Sequence, residues 1–138
     1  MSMDCSGYFK ITKRTPTVPE YQRLREMAGC DAVEDRAVET ALGRSLFAVC
    51  AIQDEEVIAY ARVVGDGGLY FFIQDIMVDP EAEGSGIEEC LMSEIMDFLK
   101  EAAPPGAFFC VKGCIFQREE CRQFSFKLSD DEQRSPFA

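Results

Sequence analysis

The sequence predicts an α+β fold, with one mixed central sheet whose first half is antiparallel and helices that flank it. Strand and helix signals are mixed along the chain, and two pairs of neighbouring strand signals are separated only by short turns. One later pair of strand signals is separated by an amphipathic helix. Short turns join antiparallel strands, whereas a crossover helix joins parallel ones. The 138 residues suit a single domain, 1–138, because no internal repeat or linker divides them.

Two helices are expected after a short first strand, in which apolar and polar residues alternate over 8–13. Thr17 and Glu20 form a capping-box pattern, and the helix that they start should run to Met27. A second acidic pair with the same spacing predicts another helix over 32–42. A glycine follows each helix, as is common at helix carboxyl ends.

Three strands are predicted next. Residues 45–53 and 56–64 are largely apolar, and the two acidic residues between them indicate a tight hairpin turn. A second turn is expected at 66–68, where Asp-Gly-Gly is most simply a hairpin connection. Residues 69–78 form a long run of β-branched and aromatic residues, which is typical of a central strand.

The last third of the chain predicts a crossover and two further strands. Pro80 ends the long strand, because proline cannot continue a ladder of hydrogen bonds. Apolar residues recur every three or four positions between Gly86 and Pro104, which indicates an amphipathic helix. The remaining elements are expected to be a strand over 107–112, a short polar helix over 115–123 and a last strand over 124–128.

The charge of the chain excludes several classes of partner. Fourteen Lys and Arg against 25 Asp and Glu give a net charge of −11. Nucleic acids and anionic membranes attract clustered basic residues, so neither is an expected partner. The excess of carboxylates is compatible with a cationic substrate such as an amine. No apolar run approaches the ~20 residues of a membrane span, and no secretory signal is visible at the amino end.

The cysteines predict reduced, mostly buried thiols in a cytoplasmic protein. There are seven of them, an odd number, with no C-x-x-C pair. Cys110, Cys114 and Cys121 are a candidate metal cluster, but their spacings fit no common zinc pattern. The chain has no His, which removes Ser-His and Cys-His nucleophiles as well as the commonest metal ligand. We therefore predict no metal site.

The segment that follows the long strand carries the clearest functional signal. A loop with Gly84 and Gly86 leads directly into the amphipathic helix. The first amides of a helix lack internal partners and its dipole is positive there, so this loop is a potential cradle for phosphate. A tight strand-to-helix turn without a ligand is the alternative interpretation.

This strand, loop and helix resemble those of the GNAT acyltransferases, which bind acetyl-CoA on such a segment. The resemblance runs from Val57 to about Phe126. It is strongest from Ala61 to Glu81, where the sequence is A-R-V-V-G-D-G-G-L-Y-F-F-I-Q-D-I-M-V-D-P-E. It implies a GNAT-like acyl-CoA N-acyltransferase fold and the transfer of an acetyl group from acetyl-CoA to an amine.

The resemblance also implies the residues that bind the cofactor. In the family, a loop of the pattern Gln/Arg-x-x-Gly-x-Gly/Ala binds the pyrophosphate, and the long strand binds the pantetheine arm through its backbone. In this chain those positions are Ile76, Met77 and Val78 on the strand and Glu83, Gly84, Ser85, Gly86, Ile87 and Glu88 in the loop. Glu83 and Glu88 depart from the pattern, and a like-charge pair ~4 Å apart costs about 1 kcal/mol in water.

Two catalytic residues are expected. Asp75 is a carboxylate inside an apolar strand, and such a group suits the removal of a proton from an ammonium substrate. An Asp that faces solvent or is satisfied by a turn is the alternative. Cys121 takes the position of the Tyr that often serves as general acid in the family pattern F-Y-x-x-F-G-F, here C-R-Q-F-S-F. A small helix residue without a catalytic role is the alternative for Cys121.

The resemblance therefore predicts an acetyl-CoA-dependent N-acetyltransferase that works by direct transfer in a ternary complex. A backbone amide near Met77 and Val78 would hold the thioester carbonyl. The acceptor would be a small-molecule or protein amine, and a homodimer is compatible with the resemblance. Glu83, Glu88 and Cys121 motivate a second hypothesis, a GNAT-fold binding or structural module that binds CoA weakly or not at all.

Overall fold

A computed structural model describes residues 9–111 and 114–117, the last four through their backbone only. In chain order the elements are β1 (Lys10–Thr12), α1 (Val18–Met27), α2 (Asp35–Leu42), β2 (Phe47–Gln53), β3 (Glu56–Gly65), β4 (Tyr70–Val78), α3 (Ile87–Ala102), β5 (Phe108–Val111) and β6 (Cys114–Gln117). A 3-10 turn, Pro80–Ala82, separates β4 from α3. Among these residues, no helix has the length and apolar character needed to cross a membrane.

The six strands form one sheet in the order β1-β2-β3-β4-β5-β6. Neighbouring strands are antiparallel except β4 and β5, which are parallel and are connected through α3. The structure therefore confirms the predicted mixed sheet, with its antiparallel first half and its single strand–helix–strand crossover.

The start of α1 confirms the predicted capping box. The Thr17 hydroxyl accepts a hydrogen bond from the Glu20 amide at 3.3 Å, and Glu20 Oε1 accepts one from the Thr17 amide at 2.8 Å. Glu20 also pairs with Arg14 at 3.1 Å, which ties the helix to the segment after β1. A pattern that spans four residues was sufficient to predict this helix, because both of its hydrogen bonds are local.

The predicted start of the second helix is wrong by three residues. The helix begins at Asp35 rather than at residue 32, and Glu34 is its N-cap. The reason lies in α1: the Gln22 side chain donates to the carbonyl of Val33 at 2.6 Å, and that of Arg25 donates to the carbonyl of Asp31 at 2.8 Å. These bonds hold residues 31–33 in an irregular segment beside α1, and the helix begins after this segment.

The hairpin between β2 and β3 confirms a tight turn at the predicted acidic pair. Asp54 and Glu55 have φ of 52° and 66°, so both are in the left-handed region. Two such residues in succession are typical of the type I′ turn, whose twist matches that of antiparallel strands.

The helix predicted over 115–123 is contradicted at its beginning. Cys114–Gln117 is strand β6, antiparallel to β5, with Phe108 opposite Gln117. The free edge of β5 supplies backbone partners for a short segment rich in β-formers, and this pairing outweighs the local helical pattern. The remainder of that predicted helix and the last predicted strand, 124–128, lie outside the described residues.

Two hydrophobic layers enclose the sheet. On one face α3 buries Leu91, Ile95 and Leu99 against strands β2 to β5. On the other face α1 and α2 bury Tyr21, Leu24 and other residues against β2, β3 and the end of β4. Each side chain of a central strand therefore meets one of two different environments, and its position in the pleat decides which.

Candidate active site

β4 has strand partners on both edges only over its amino-terminal half. Its pairing with β3 extends to Val78, whereas its pairing with β5 ends at Ile73 opposite Val111. Within the described part of the chain, residues 74–78 of β4 have no strand on the β5 side. Unpaired N–H and C=O groups on a strand edge are available to an extended ligand.

A β-bulge interrupts the pairing of β3 with the carboxyl-terminal half of β4, the half without a described strand on its β5 side. Asp75 and Ile76 both lie opposite Ala61 of β3, because the pairing register shifts by one residue there. Asp75 has a φ of 60°, in the left-handed region that Asp tolerates better than most residues. Bulges redirect side chains and are frequent beside active sites.

The bulge changes the face to which the β4 side chains point. Ile73, before the bulge, packs in the α3 layer, and so do Ile76 and Val78 after it, while Met77 packs with α1 and α2. Without the extra residue, the two-residue alternation would place Asp75 on the side of Ile73, inside an apolar core. The bulge instead directs Asp75 towards α1.

Asp75 is held by two side chains from other elements. Its Oδ2 accepts a hydrogen bond from Arg62 Nε of β3 at 2.8 Å and one from the Tyr21 hydroxyl of α1 at 3.0 Å. Arg62 Nη1 donates in turn to the carbonyl of Ala41 at 2.8 Å and to Ser45 Oγ at 3.3 Å. The carboxylate is thereby fixed to α1, to β3 and to the last turn of α2.

This arrangement leaves one oxygen of Asp75 available. No described residue donates a hydrogen bond to Oδ1, and the side chain is 19% exposed. Burial, together with the adjacent Asp75 carboxylate, raises the pKa of Tyr21, so its phenol remains a donor at neutral pH. The ring of Tyr21 packs edge-on against that of the fully buried Tyr60 at 5.8 Å, which fixes the position of the hydroxyl.

The loop after β4 connects the bulge to α3 through a compact set of hydrogen bonds. The Asp79 amide donates to the carbonyl of Ile58 at 2.8 Å, and Asp79 Oδ1 accepts from the Glu81 amide at 2.9 Å. Ser85 Oγ donates to the carbonyl of Ala82 at 2.5 Å. This loop therefore places the start of α3 directly after the carboxyl-terminal half of β4.

The amino end of α3 has the backbone features of an anion site. Gly84 and Gly86 have φ of 85° and 87°, and a Cβ added at either would meet no atom within 4 Å. Gly86 is the N-cap, and no side chain caps the helix. The first-turn amides are therefore open to a ligand at the positive end of the helix dipole, and this backbone fits a polyphosphate.

The acidic side chains around this helix end oppose such a ligand by charge. Glu83 and Glu89 are exposed and Glu88 is half-buried. An exposed carboxylate can turn into solvent, where water and salt screen it. Glu88 has less freedom, so it is the carboxylate most able to weaken the binding of an anion here.

Most of the predicted site residues lie together in the structure. Ile76, Met77 and Val78 follow the bulge at Asp75, and the loop from Glu83 to Glu88 follows them, so one continuous segment holds all of these positions. Their binding and catalytic roles stay predictions. The predicted acid Cys121 lies outside the described residues.

Sequence reasoning missed Arg62 and Tyr21. One signal for Arg62 was present, since it is the single charged residue within the run V-I-A-Y-A-R-V-V of β3. Tyr21 gave no signal, because it lies 54 residues before Asp75 and only the fold brings the two together.

The cysteines of the described region differ in state. Cys30, Cys50 and Cys110 are not disulfide-bonded, whereas Cys90 of α3 is, contrary to the expectation of reduced thiols. Burial raises the pKa of Cys50 to about 12, so this thiol is not a nucleophile at neutral pH. Within residues 9–111, no group of three His, Cys, Asp or Glu side chains is placed to hold a metal ion.

Comparison with known proteins identifies a family for this chain. A family model described as the acetyltransferase (GNAT) family matches residues 11–111, which include the bulge, the loop and α3. None of the curated proteins compared with the chain matches it.

Solved structures are similar over most of the chain. A probable acetyltransferase of unknown function from meticillin-resistant Staphylococcus aureus is 27% identical, with a TM-score of 0.73 over 88% of each chain. A GNAT family acetyltransferase from Streptococcus pneumoniae is 25% identical, with a TM-score of 0.64 over 88% of this chain and 84% of that one. An N-acetyltransferase from Escherichia coli, solved in complex with CoA, is 22% identical, with a TM-score of 0.61 over 82% and 67%, and shows a shared fold.

Proposed function

Because the chain belongs to the GNAT family of acetyltransferases, we propose that it transfers an acetyl group from acetyl-CoA to an amine in a ternary complex. The strongest support is that three features follow one another along a single segment. They are the bulge at Asp75, the edge of β4 that lacks a described strand on the β5 side, and the start of α3, which no side chain caps. Acetyl-CoA supplies the acetyl group as a thioester, which an amine attacks readily once the two are held together.

The backbone of this segment would hold the acyl donor. The open edge at Ile76, Met77 and Val78 offers N–H and C=O groups to the amide-containing pantetheine arm. The amides of the loop from Gly84 to Glu88 would bind the pyrophosphate. An amide near Met77 and Val78 would polarise the thioester carbonyl, since a donor fixed in the backbone costs no reorganisation during the reaction.

Asp75 would act as the general base. Amines are largely protonated at neutral pH, and an ammonium group must lose a proton before it can attack a carbonyl. Arg62 and Tyr21 both bind Oδ2 of Asp75, and Oδ1, which receives no hydrogen bond from a described residue, is the oxygen that would take this proton. Cys121 remains the predicted donor of a proton to the CoA thiolate.

The acceptor would be a small-molecule or protein amine. The net charge of −11 favours the approach of a cation and disfavours nucleic acid and anionic membranes. We also propose one domain over residues 1–138 and a cytoplasmic location, which Cys30, Cys50 and Cys110 support as thiols and the disulfide at Cys90 does not.

A thermal-shift titration with acetyl-CoA tests whether the donor binds. A ligand at a hundredfold excess over its dissociation constant adds about 2.7 kcal/mol to the free energy of unfolding. Acetyl transfer is then measured with a panel of amines by mass spectrometry of the product, because the cysteines of this chain would react with thiol reagents. No thermal shift at millimolar acetyl-CoA would overturn the enzyme assignment and favour the binding or structural module.

A double variant tests the role of the acidic loop. Glu83→Gln with Glu88→Gly removes two charges from the start of α3, and affinity for acetyl-CoA should rise by roughly tenfold, about 1.4 kcal/mol. Glu26→Gln with Glu39→Gln removes two charges from exposed positions of α1 and α2 and is the matched control. An equal gain in both pairs would show that only the net charge matters.

A further inference from the structure

Three aromatic side chains of β4 and β5 lie outside both hydrophobic layers of the described residues. Tyr70, Phe72 and Phe108, which we name the aromatic wall, pack neither with α3 nor in the layer under α1 and α2. Tyr70 is 44% exposed, and Phe72 and Phe108 are half-buried. The rings of Tyr70 and Phe108 stack with centroids 5.4 Å apart and an interplanar angle of 13°. Adjoining aromatic side chains that reach the surface are typical of a binding site.

The aromatic wall lies on the face of the sheet to which Asp75 points. Phe71 and Phe109 are buried in the α3 layer, and side chains alternate along a strand, so the wall is on the opposite face. Arg62, which holds Asp75, reaches the carbonyl of Ala41 in α2 on that same face. In the described part of the chain, the layer under α1 and α2 includes β2, β3 and the end of β4 and stops short of the wall.

The wall begins within reach of a small ligand bound at Asp75. Phe72 precedes Asp75 by three residues, which is about 10 Å along a strand, and the stacked pair of Tyr70 and Phe108 continues the wall beyond it. Oδ1 of Asp75, to which no described residue donates a hydrogen bond, is therefore a charged acceptor at one end of an apolar strip. Sites for small molecules commonly combine an apolar wall with a few polar groups that fix the orientation of the ligand.

These features together specify the body of the acceptor as well as its charge. We propose that the acceptor is a primary amine with an extended apolar body that carries an aromatic ring. Its ammonium group donates a hydrogen bond to Asp75 Oδ1, and its ring packs on the aromatic wall. The inference rests on the proposed function, which places the reacting amine at Asp75. Packing against the wall would hold the amine in one orientation beside the thioester, whereas a small hydrophilic amine would leave the wall uncovered.

Isothermal titration of the full chain with 4-phenylbutylamine tests the proposal, both alone and with desulfo-CoA, an analogue that has no thiol to react with the disulfide. Saturable binding is expected. Butylamine has the same ammonium group and alkyl chain without the ring, and 4-phenylbutan-1-ol has the ring without the charge. Each should bind about tenfold more weakly or worse, because each lacks one of the two contacts. No saturable binding of 4-phenylbutylamine in either titration would overturn the proposal.

Variants on the same face identify the contacts. Phe72→Leu keeps an apolar side chain but removes the flat ring, and it should weaken binding of 4-phenylbutylamine by about fivefold. Tyr70→Ser, at an exposed position, is the second test if Phe72→Leu does not fold. Asp75→Asn should weaken binding by about tenfold, since the ammonium group loses its charged partner. Val33→Ser removes a comparably exposed apolar side chain, 42% exposed and before α2, and should have no effect.

The outcomes separate this inference from the proposed function. Binding with these preferences but without acetyl transfer would refute the transferase and leave the amine site intact. Equal affinities for 4-phenylbutylamine and butylamine, or wild-type affinity in Asp75→Asn or in both wall variants, would overturn the inference. A fall in the melting temperature of Tyr70→Ser as large as that of the core variant Phe71→Ala would also overturn it, because the wall would then be covered by the rest of the chain.

Discussion

Both halves of β4 pair with β3 on one edge. On the other edge only the amino-terminal half pairs with a described strand, β5. From Tyr70 to Ile73 the strand is hydrogen-bonded between β3 and β5, and Phe71 meets Phe109 edge-on at 6.0 Å in a fully buried contact. Among the described residues, β3 is the only strand that pairs with residues 74–78, and the bulge interrupts that pairing.

The difference shows how one strand serves both stability and chemistry. In the first half β3 and β5 flank the strand on both edges, and Phe71 and Ile73 are buried in the core. In the second half no strand of the described residues covers the edge on the β5 side, and Asp75 adopts a conformation that L-residues rarely take. Such local strain persists only where the surroundings enforce it, as Arg62 and Tyr21 do here.

The largest effect is expected from Phe71→Ala in the paired half. Removing a buried Phe costs about 3–5 kcal/mol of the free energy of unfolding, through lost burial and the cavity left behind. Urea denaturation measures this loss, and acetyl transfer per folded molecule should be unchanged. A large fall in the activity of the folded fraction would show that the two halves are not separate in function.

Asp75→Asn, in the carboxyl-terminal half of β4, should lower activity strongly and stability only slightly, the reverse of Phe71→Ala. The amide can still accept hydrogen bonds from Arg62 and Tyr21, but it cannot take a proton from the acceptor amine. We expect kcat/KM to fall by about 100-fold or more, with the melting temperature changed far less than in Phe71→Ala. Tyr21→Phe is the control, since it removes one hydrogen bond and keeps the carboxylate. Wild-type rates in Asp75→Asn would refute the assignment of the base.

Arg62→Lys tests whether the position of Asp75 matters as well as its presence. Lysine keeps the charge but cannot reach Asp75, Ala41 and Ser45 together, so we expect a loss of about 1–2 kcal/mol in stability and about tenfold in kcat. Arg23→Lys is the matched control, because Arg23 also donates to a backbone carbonyl on the α1 face, that of Val57. An equal fall in kcat in both variants would mean that Arg62 acts through stability alone.

The smallest effect should come from Asp66, at the turn that leads into the paired half. The amides of Tyr70, Gly68 and Leu69 donate to its carboxylate and hold its pKa below the usual value. A depressed pKa in the folded state stabilises the fold above the ordinary Asp value of about 3.9, and this contribution is lost as the pH falls below it. The stability difference between wild type and Asp66→Asn should therefore shrink between pH 5 and pH 2, without a change in activity at neutral pH.

Local patterns were sufficient to predict most of the elements that position the site. The capping box of α1, the apolar periodicity of α3 and the proline after β4 each act within a few residues, and all three appear in the structure. The failures arose where another element intervened. Side chains of α1 bind the carbonyls before α2, which begins three residues later than predicted. Cys114–Gln117 pairs with the edge of β5 and is a strand instead of a helix.

Capping, periodicity and turn chemistry are local interactions, so the order of the elements, the mixed sheet and the glycine loop before α3 could be predicted from the sequence. The direction in which Asp75 points could not, because it depends on contacts between distant elements. The bulge depends on the register between β3 and β4, and the groups that hold Asp75 lie 13 and 54 residues away along the chain.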